Sequence, residues 1–241
     1  MDIEIEKLEH LIKTSKHIVF FGGAGVSTES GIKDFRSKDG LYQLKSKYGM
    51  PYEVMLSHSY FLEHTDTFYK FYREFMITNA KPNAAHKFLA ELEKQKDITI
   101  VTQNIDGLHQ MAGSKNVFEL HGSIHRNTCM NCYKKYTLED ILKLPSTPLC
   151  PSCGGLIKPD VVLYEEGLDY DVLEGAINAI ERADLFIIAG TSLKVYPANG
   201  LIRYFNDTNL VVINKEHLDM VRGVTLEINK PVGEVFSQIK L

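Results

Sequence analysis

His17-Ile18-Val19-Phe20-Phe21-Gly22-Gly23-Ala24-Gly25-Val26-Ser27 joins an apolar run to a glycine-rich turn, and its reading decides the fold. An unbroken run of β-branched and aromatic residues is how a strand reads when both of its faces are buried under helices. The glycines behind it let a backbone approach a pyrophosphate and lead into a helix, whose first N–H groups favour an anion. Ile98 to Thr102, Asp184 to Ala189 and Asn209 to Ile213 have the same character. Each is entered from a helix-like segment, so the chain reads as α/β, a doubly wound parallel sheet. The four strands run into Gly22-Gly-Ala-Gly25, Gln103-Asn-Ile-Asp106, Gly190-Thr-Ser192 and Asn214. Open α/β sheets bind ligands beyond the carboxyl ends of their strands, so four polar ends predict one shared cleft.

The glycine turn is not the ordinary dinucleotide fingerprint. G-x-G-x-x-G needs a third glycine at position 28, where Thr28 stands, and no acidic ribose ligand is evident near the end of a second strand. A standard dehydrogenase is therefore disfavoured.

All four cysteines stand as two CxxC pairs, Cys129/Cys132 and Cys150/Cys153. Two such pairs can close a tetrahedral zinc site with no position left open, which makes the metal scaffold rather than catalyst. Two disulfides or two redox motifs are the alternatives. The zinc-ribbon spacing and the charged, amphipathic N-terminus, which does not read as an export signal, favour zinc and a cytoplasmic location. None of the cysteines is then left for nucleophilic catalysis.

The 241 residues, 44% hydrophobic, suffice for one sizeable core and a smaller appendage. A net charge of −4 without a clustered basic face argues against a nucleic-acid partner, and no span reads as transmembrane. The large domain is expected from residues 1–32, 81–124 and 159–241. The small one is expected from a helical module at 33–80, with Phe61, Phe68, Tyr72 and Phe75 as an aromatic core stripe, and a zinc ribbon at 125–158.

Gly23-Ala-Gly-Val-Ser-Thr-Glu-Ser-Gly-Ile-Lys-Asp-Phe-Arg36, Thr102-Gln-Asn-Ile-Asp-Gly-Leu-His109, Leu120-His121-Gly122 and Gly190-Thr-Ser-Leu-Lys-Val-Tyr-Pro-Ala198, together with the cysteine pairs, resemble the sirtuins. These are NAD-dependent protein-lysine deacylases, and the sequence is most similar to the compact bacterial type. The resemblance implies a Rossmann-like fold with a small zinc-ribbon plus helical domain, NAD as co-substrate, one structural Zn2+ and acylated-lysine proteins or peptides as substrates. In the family the acyl-lysine carbonyl attacks ribose C1′, giving nicotinamide, deacylated lysine and O-acetyl-ADP-ribose. By that resemblance His121 is the general base, a role that suits an imidazole, and Asn104 positions the ribose or attacking water. Asp106 and the Ile105 backbone receive the nicotinamide, and Phe35 screens the sugar. Ala24, Thr28, Arg36 and Gln103 contact phosphate and ribose, while Thr191, Ser192, Asn214 and Lys215 hold the adenosine half. Val162 and Tyr164 on one side and Val195 on the other would hold the peptide as an added strand.

Three places depart from the family pattern. Tyr164-Glu165-Glu166 replaces Phe-Gly-Glu, which puts a local turn in doubt, and Lys33 replaces a proline. Members that prefer acidic acyl groups carry Tyr-x-x-Arg; here Tyr69 is followed by Tyr72 and only then Arg73. One residue turns a helix by about 100 degrees, so Arg73 is expected to point away and the acyl group to be neutral, with Tyr69 and Tyr72 lining its tunnel. A mono-ADP-ribosyltransferase on the same fold and a non-catalytic zinc-ribbon module are the rival readings.

Overall fold

The computed structural model of the protein describes residues 3–33 and 48–240. Helix α1 (Ile3–Thr14) leads into strand β1 (His17–Gly22). Short helices α2 (Tyr52–Met55) and α3 (His58–Glu63) precede α4 (Thr65–Phe75) and α5 (Ala84–Leu92). Then come β2 (Asp97–Thr102), α6 (Leu108–Ala112), β3 (Val117–Glu119), β4 (Gly122–Cys129), β5 (Lys135–Thr137), α7 (Leu138–Lys143) and β6 (Ile157–Val161). The chain closes with α8 (Tyr170–Arg182), β7 (Leu185–Ala189), β8 (Leu210–Ile213), β9 (Leu226–Ile228) and α9 (Val232–Ser237).

Six strands form one sheet in the order β3-β2-β1-β7-β8-β9, every pair parallel. Outward from the centre this is the doubly wound order 3-2-1-4-5-6, whose direction of winding reverses between β1 and β7. The four strands expected from the sequence are therefore its four central members. Alternation along β1 explains why it must be apolar throughout. Ile18 and Phe20 face a core built with α1, α5 and α9, while Val19 and Phe21 face the opposite core under α8. Each such side chain taken fully from water stabilises the fold by roughly 1.5–3 kcal/mol.

A second sheet, β5-β4-β6, is antiparallel. Its apolar side packs on the aromatic stripe: Phe61 of α3 and Phe68, Tyr69, Phe71 and Tyr72 of α4 are buried with Ile124, Val161 and Leu163. Helix α7 starts on a capping box, with Thr137 and Asp140 each accepting the other's backbone N–H. Its far end is closed by Arg73, whose guanidinium donates to the carbonyls of Ile141, Leu144, Pro145 and Ser146. No helix among the described residues is long and apolar enough to cross a membrane.

Candidate active site

A cleft of about 300 Å³ opens where the two sheets meet, beyond the carboxyl ends of β1 and β2. The turn after β1 does not become a regular helix as the sequence predicted. It forms two 3-10 turns, Ala24–Val26 and Thr28–Ser30. The cause is visible at Gly25, whose N–H donates to the Gly190 carbonyl (2.7 Å) and where a Cβ would lie 2.8 Å from Gly190 Cα. These glycines let the turn lie flat on the end of β7, so they serve protein packing at the point where the winding reverses.

Strand β2 delivers Gln103 to Asp106 into the same cleft. Gln103 Nε2 donates to Thr191 Oγ1 (3.1 Å), tying the ends of β2 and β7 together. Ser27, 1% exposed, was not singled out from the sequence, yet it is the hub. Its hydroxyl donates to Asp106 Oδ2 (2.6 Å) and accepts from Asn104 Nδ2 (3.0 Å), which also donates to the Gly23 carbonyl (3.1 Å). Asp106 Oδ1 accepts the Leu108 N–H (3.0 Å). A carboxylate with both oxygens engaged is held in one rotamer, and a Ser at this spacing from the glycines was the signal available for it.

His121 stands between β3 and β4, with its Nδ1 2.8 Å from the Gln103 carbonyl. A carbonyl can only accept, so Nδ1 carries the hydrogen and Nε2 of the neutral ring is the basic nitrogen. The next residue has to be glycine: Gly122 has φ 74°, and a Cβ there would sit 2.0 Å from the Asp160 carbonyl oxygen. Leu-His-Gly is thus the shortest way to turn a strand end, present an imidazole and start the second sheet. The Val162 N–H donates to the His121 carbonyl (2.9 Å), and Ile124 N–H to that of Ile105 (3.0 Å).

Ala24, Gln103, Asn104, Ile105, Asp106 and His121 line the cleft, and so do Val162, Tyr164 and Val195. Thr28, Thr191, Ser192, Asn214 and Lys215 are not in that lining. Thr191 and Ser192 follow β7 and Asn214 and Lys215 follow β8, beside the same switch point. Thr28 Oγ1 donates to the Gly25 carbonyl and Asn214 Nδ2 to that of Glu216. Phe35, Arg36 and Asp34 lie outside the described residues. Glu29 and Glu119 are structural: one accepts the Gly233 N–H (2.6 Å) and the other pairs with Arg126 (2.7 Å).

One expectation is corrected. Only Tyr72 of the tyrosine pair lines the cleft; Tyr69 spends its hydroxyl on the Ile157 carbonyl inside the small layer. The Val162–Tyr164 wall does not offer amides to a peptide, because these N–H groups already donate to His121 O, the Glu166 carboxylate and Leu56 O. Arg73 points away from the cleft, as expected, and Glu165 keeps the turn that a glycine would make, at φ 76°.

The four cysteine Sγ atoms lie within 4.8 Å of one another, with contacts of 3.5 Å (Cys129–Cys153) and 3.6 Å (Cys132–Cys150). Four sulfurs at about 2.3 Å from one ion would stand about 3.8 Å apart, so the donor set fits tetrahedral zinc. Tyr136 donates its hydroxyl to Cys150 Sγ (3.0 Å), which holds that thiol down to about 6.

A Rossmann-type sheet with a histidine and a carboxylate at its switch point, joined to a four-cysteine module, defines a class of nucleotide-using enzymes. The Sir2 family model matches residues 23–197, and the chain belongs to that family. It is 55% identical over 239 residues to an NAD-dependent protein deacetylase of Clostridium acetobutylicum, covering 98% of each chain. An NAD-dependent protein deacetylase of Cutibacterium acnes is 50% identical, over 98% of this chain and 97% of that one. A solved Sir2 complex with a p53 peptide and NAD+ superposes with TM-score 0.84 at 38% identity, over 97% of this chain and 96% of that one.

Proposed function

We propose that the protein is an NAD-dependent protein-lysine deacetylase. The observation that carries the reading is the single constellation of Asp106, Ser27, Asn104, Gln103 and His121 at the switch point. Relatives named as deacetylases at 42–55% identity, and a Sir2 structure holding 2'-O-acetyl-ADP-ribose with a deacetylated peptide, support it.

NAD, when bound, supplies a glycosidic bond to nicotinamide whose cleavage opens ribose C1′ to the acyl oxygen of lysine. The protein's part is orientation and proton transfer. Asp106 accepts from the carboxamide NH2, fixed in place by Ser27 and Leu108. Asn104, held through its amide by Ser27 and Gly23, positions the ribose or the attacking water. His121 Nε2 takes a proton from a ribose hydroxyl while Nδ1 stays on the Gln103 carbonyl. Ala24, Thr28 and Gln103, with Arg36, serve phosphates and ribose, Phe35 shields the sugar, and Thr191, Ser192, Asn214 and Lys215 serve the adenosine half. Val162 and Tyr164 face Val195 across the peptide groove. The cysteines hold one structural Zn2+, and four thiols outside any disulfide support a cytoplasmic setting.

Mass spectrometry of a reaction with acetyl-lysine peptide, an unacylated protein and NAD tests the reading. Deacetylated peptide, nicotinamide and O-acetyl-ADP-ribose in equal amounts are expected. ADP-ribose covalently attached to the protein, with the acetyl peptide untouched, would replace this reading by an ADP-ribosyltransferase.

A further inference from the structure

The left-handed residue Glu165 is the feature of the cleft that the site chemistry leaves unused. An L-residue at φ 76° is disfavoured, and Glu lacks the short polar side chain with which Asn or Asp eases that conformation. What holds it is its own carboxylate. Oε2 accepts the Ser59 N–H (2.8 Å) and Oε1 the Ser59 hydroxyl (2.9 Å), both at the start of α3. The neighbouring backbone is stitched to the same place: Tyr164 N–H donates to the Leu56 carbonyl (2.9 Å) and His58 N–H to the Tyr164 carbonyl (3.0 Å). Glu166 continues the seam, on Lys158 (3.1 Å), His58 (2.7 Å) and the Leu163 N–H (2.9 Å). Glu166 thus has a cationic partner in Lys158, whereas the groups on Glu165 are the two neutral donors of Ser59.

We infer that Glu165 is a positioning residue for the acyl-lysine peptide: its clasp on Ser59 fixes the Val162–Tyr164 wall of the groove before substrate arrives. This rests on the deacetylase reading. A preformed wall lowers the ordering cost of binding, so the clasp acts on peptide affinity and leaves the chemistry at His121 untouched. Both the left-handed turn and a side chain that reaches Ser59 are needed for it. A glycine would make the turn without the clasp.

The test compares Glu165→Gly, Glu165→Gln and Ser59→Ala in steady-state deacetylation. Glutamine can accept the Ser59 N–H and donate to the Ser59 hydroxyl, so it keeps the clasp and removes the charge. Expected results are a peptide KM raised about 10-fold in Glu165→Gly with kcat and the KM for NAD within twofold of wild type, an intermediate KM in Ser59→Ala, and near-complete recovery in Glu165→Gln. An unchanged peptide KM in Glu165→Gly overturns the inference. So does a Glu165→Gln variant as impaired as the glycine one, which would make Glu165 a charge on the rim. Should Glu165→Gly fail to fold, the other two variants carry the test in the same way. Absence of NAD-dependent turnover in wild type would instead sink the deacetylase reading itself.

Discussion

Ser27 and the histidine pair behind it show how much of the site is set by single side chains. His86 is fully buried and His109 nearly so, their rings 4.7 Å apart, with Nε2 of the first and both nitrogens of the second lacking a partner. Burial penalises the charged imidazolium and lowers His86 to about 4 and His109 to about 3, from an ordinary 6.5. The unfolded chain therefore binds more protons than the folded one below pH 6.5. Stability is complete above that pH and falls as the pH drops toward 4, with a slope reaching about 1.4 kcal/mol per pH unit for each histidine. Thermal unfolding between pH 7 and 4 should accordingly show a gentler loss in His109→Leu than in wild type. Parallel curves would mean that burial of this pair does not drive acid sensitivity. Neither histidine was readable as buried from the sequence, because an isolated His carries no periodic signal; the packing of α5 on α6 puts them there. The same is true of Ser27, whose role follows from the ends of β1 and β2 meeting. His121 was legible, since only glycine fits after it and the Leu-His-Gly context records that constraint.

At the scale of elements, the acyl preference we propose rests on α4. Tyr72 lines the cleft and is 1% exposed, Tyr69 is turned into the small layer, and Arg73 is spent on the carbonyl end of α7. The helix therefore presents no cation to the cleft, and a carboxylate entering there would be buried without a partner from α4. Acetyl-lysine should be removed far faster than succinyl-lysine. Tyr72→Arg should raise the succinyl-to-acetyl ratio of kcat/KM, since one charge-assisted hydrogen bond is worth roughly 1.5–3 kcal/mol. A ratio unmoved by the substitution would show that α4 does not reach the acyl group. The period of the aromatic stripe placed this helix correctly, yet it could not say which tyrosine faces the cleft, as both are buried. The cysteine module is the second such element. Cys129 and Cys150 belong to the core cluster of Ile141 and Ile157, so the zinc we propose would couple to local folding. Chelation should lower the midpoint of thermal unfolding and abolish activity together, and re-addition of zinc should restore both. Tyr136→Phe, which removes the hydrogen bond to Cys150, should release zinc to a chelating dye faster than wild type; equal release rates would make that contact incidental.

For the whole molecule, the central claim is that a doubly wound sheet and a zinc-ribbon sheet meet at one cleft where His121 acts on a bound nucleotide. The doubly wound order was legible because parallel strands must be apolar on both faces, and β1, β2, β7 and β8 are. The shape of the glycine turn was not, because it depends on Gly190 from a strand far away in sequence. The Glu165 turn was hidden for a similar reason: its partner, Ser59, lies in another layer. The measurement that addresses the claim most directly is deacetylation by His121→Ala alongside its NAD affinity, both at pH 7. The substitution should lower kcat by ~10² to 10⁴ while NAD binding stays within a few-fold of wild type, because Ala24, Gln103, Asn104 and Asp106 are untouched. A His121→Ala enzyme that deacetylates at the wild-type rate would contradict the account.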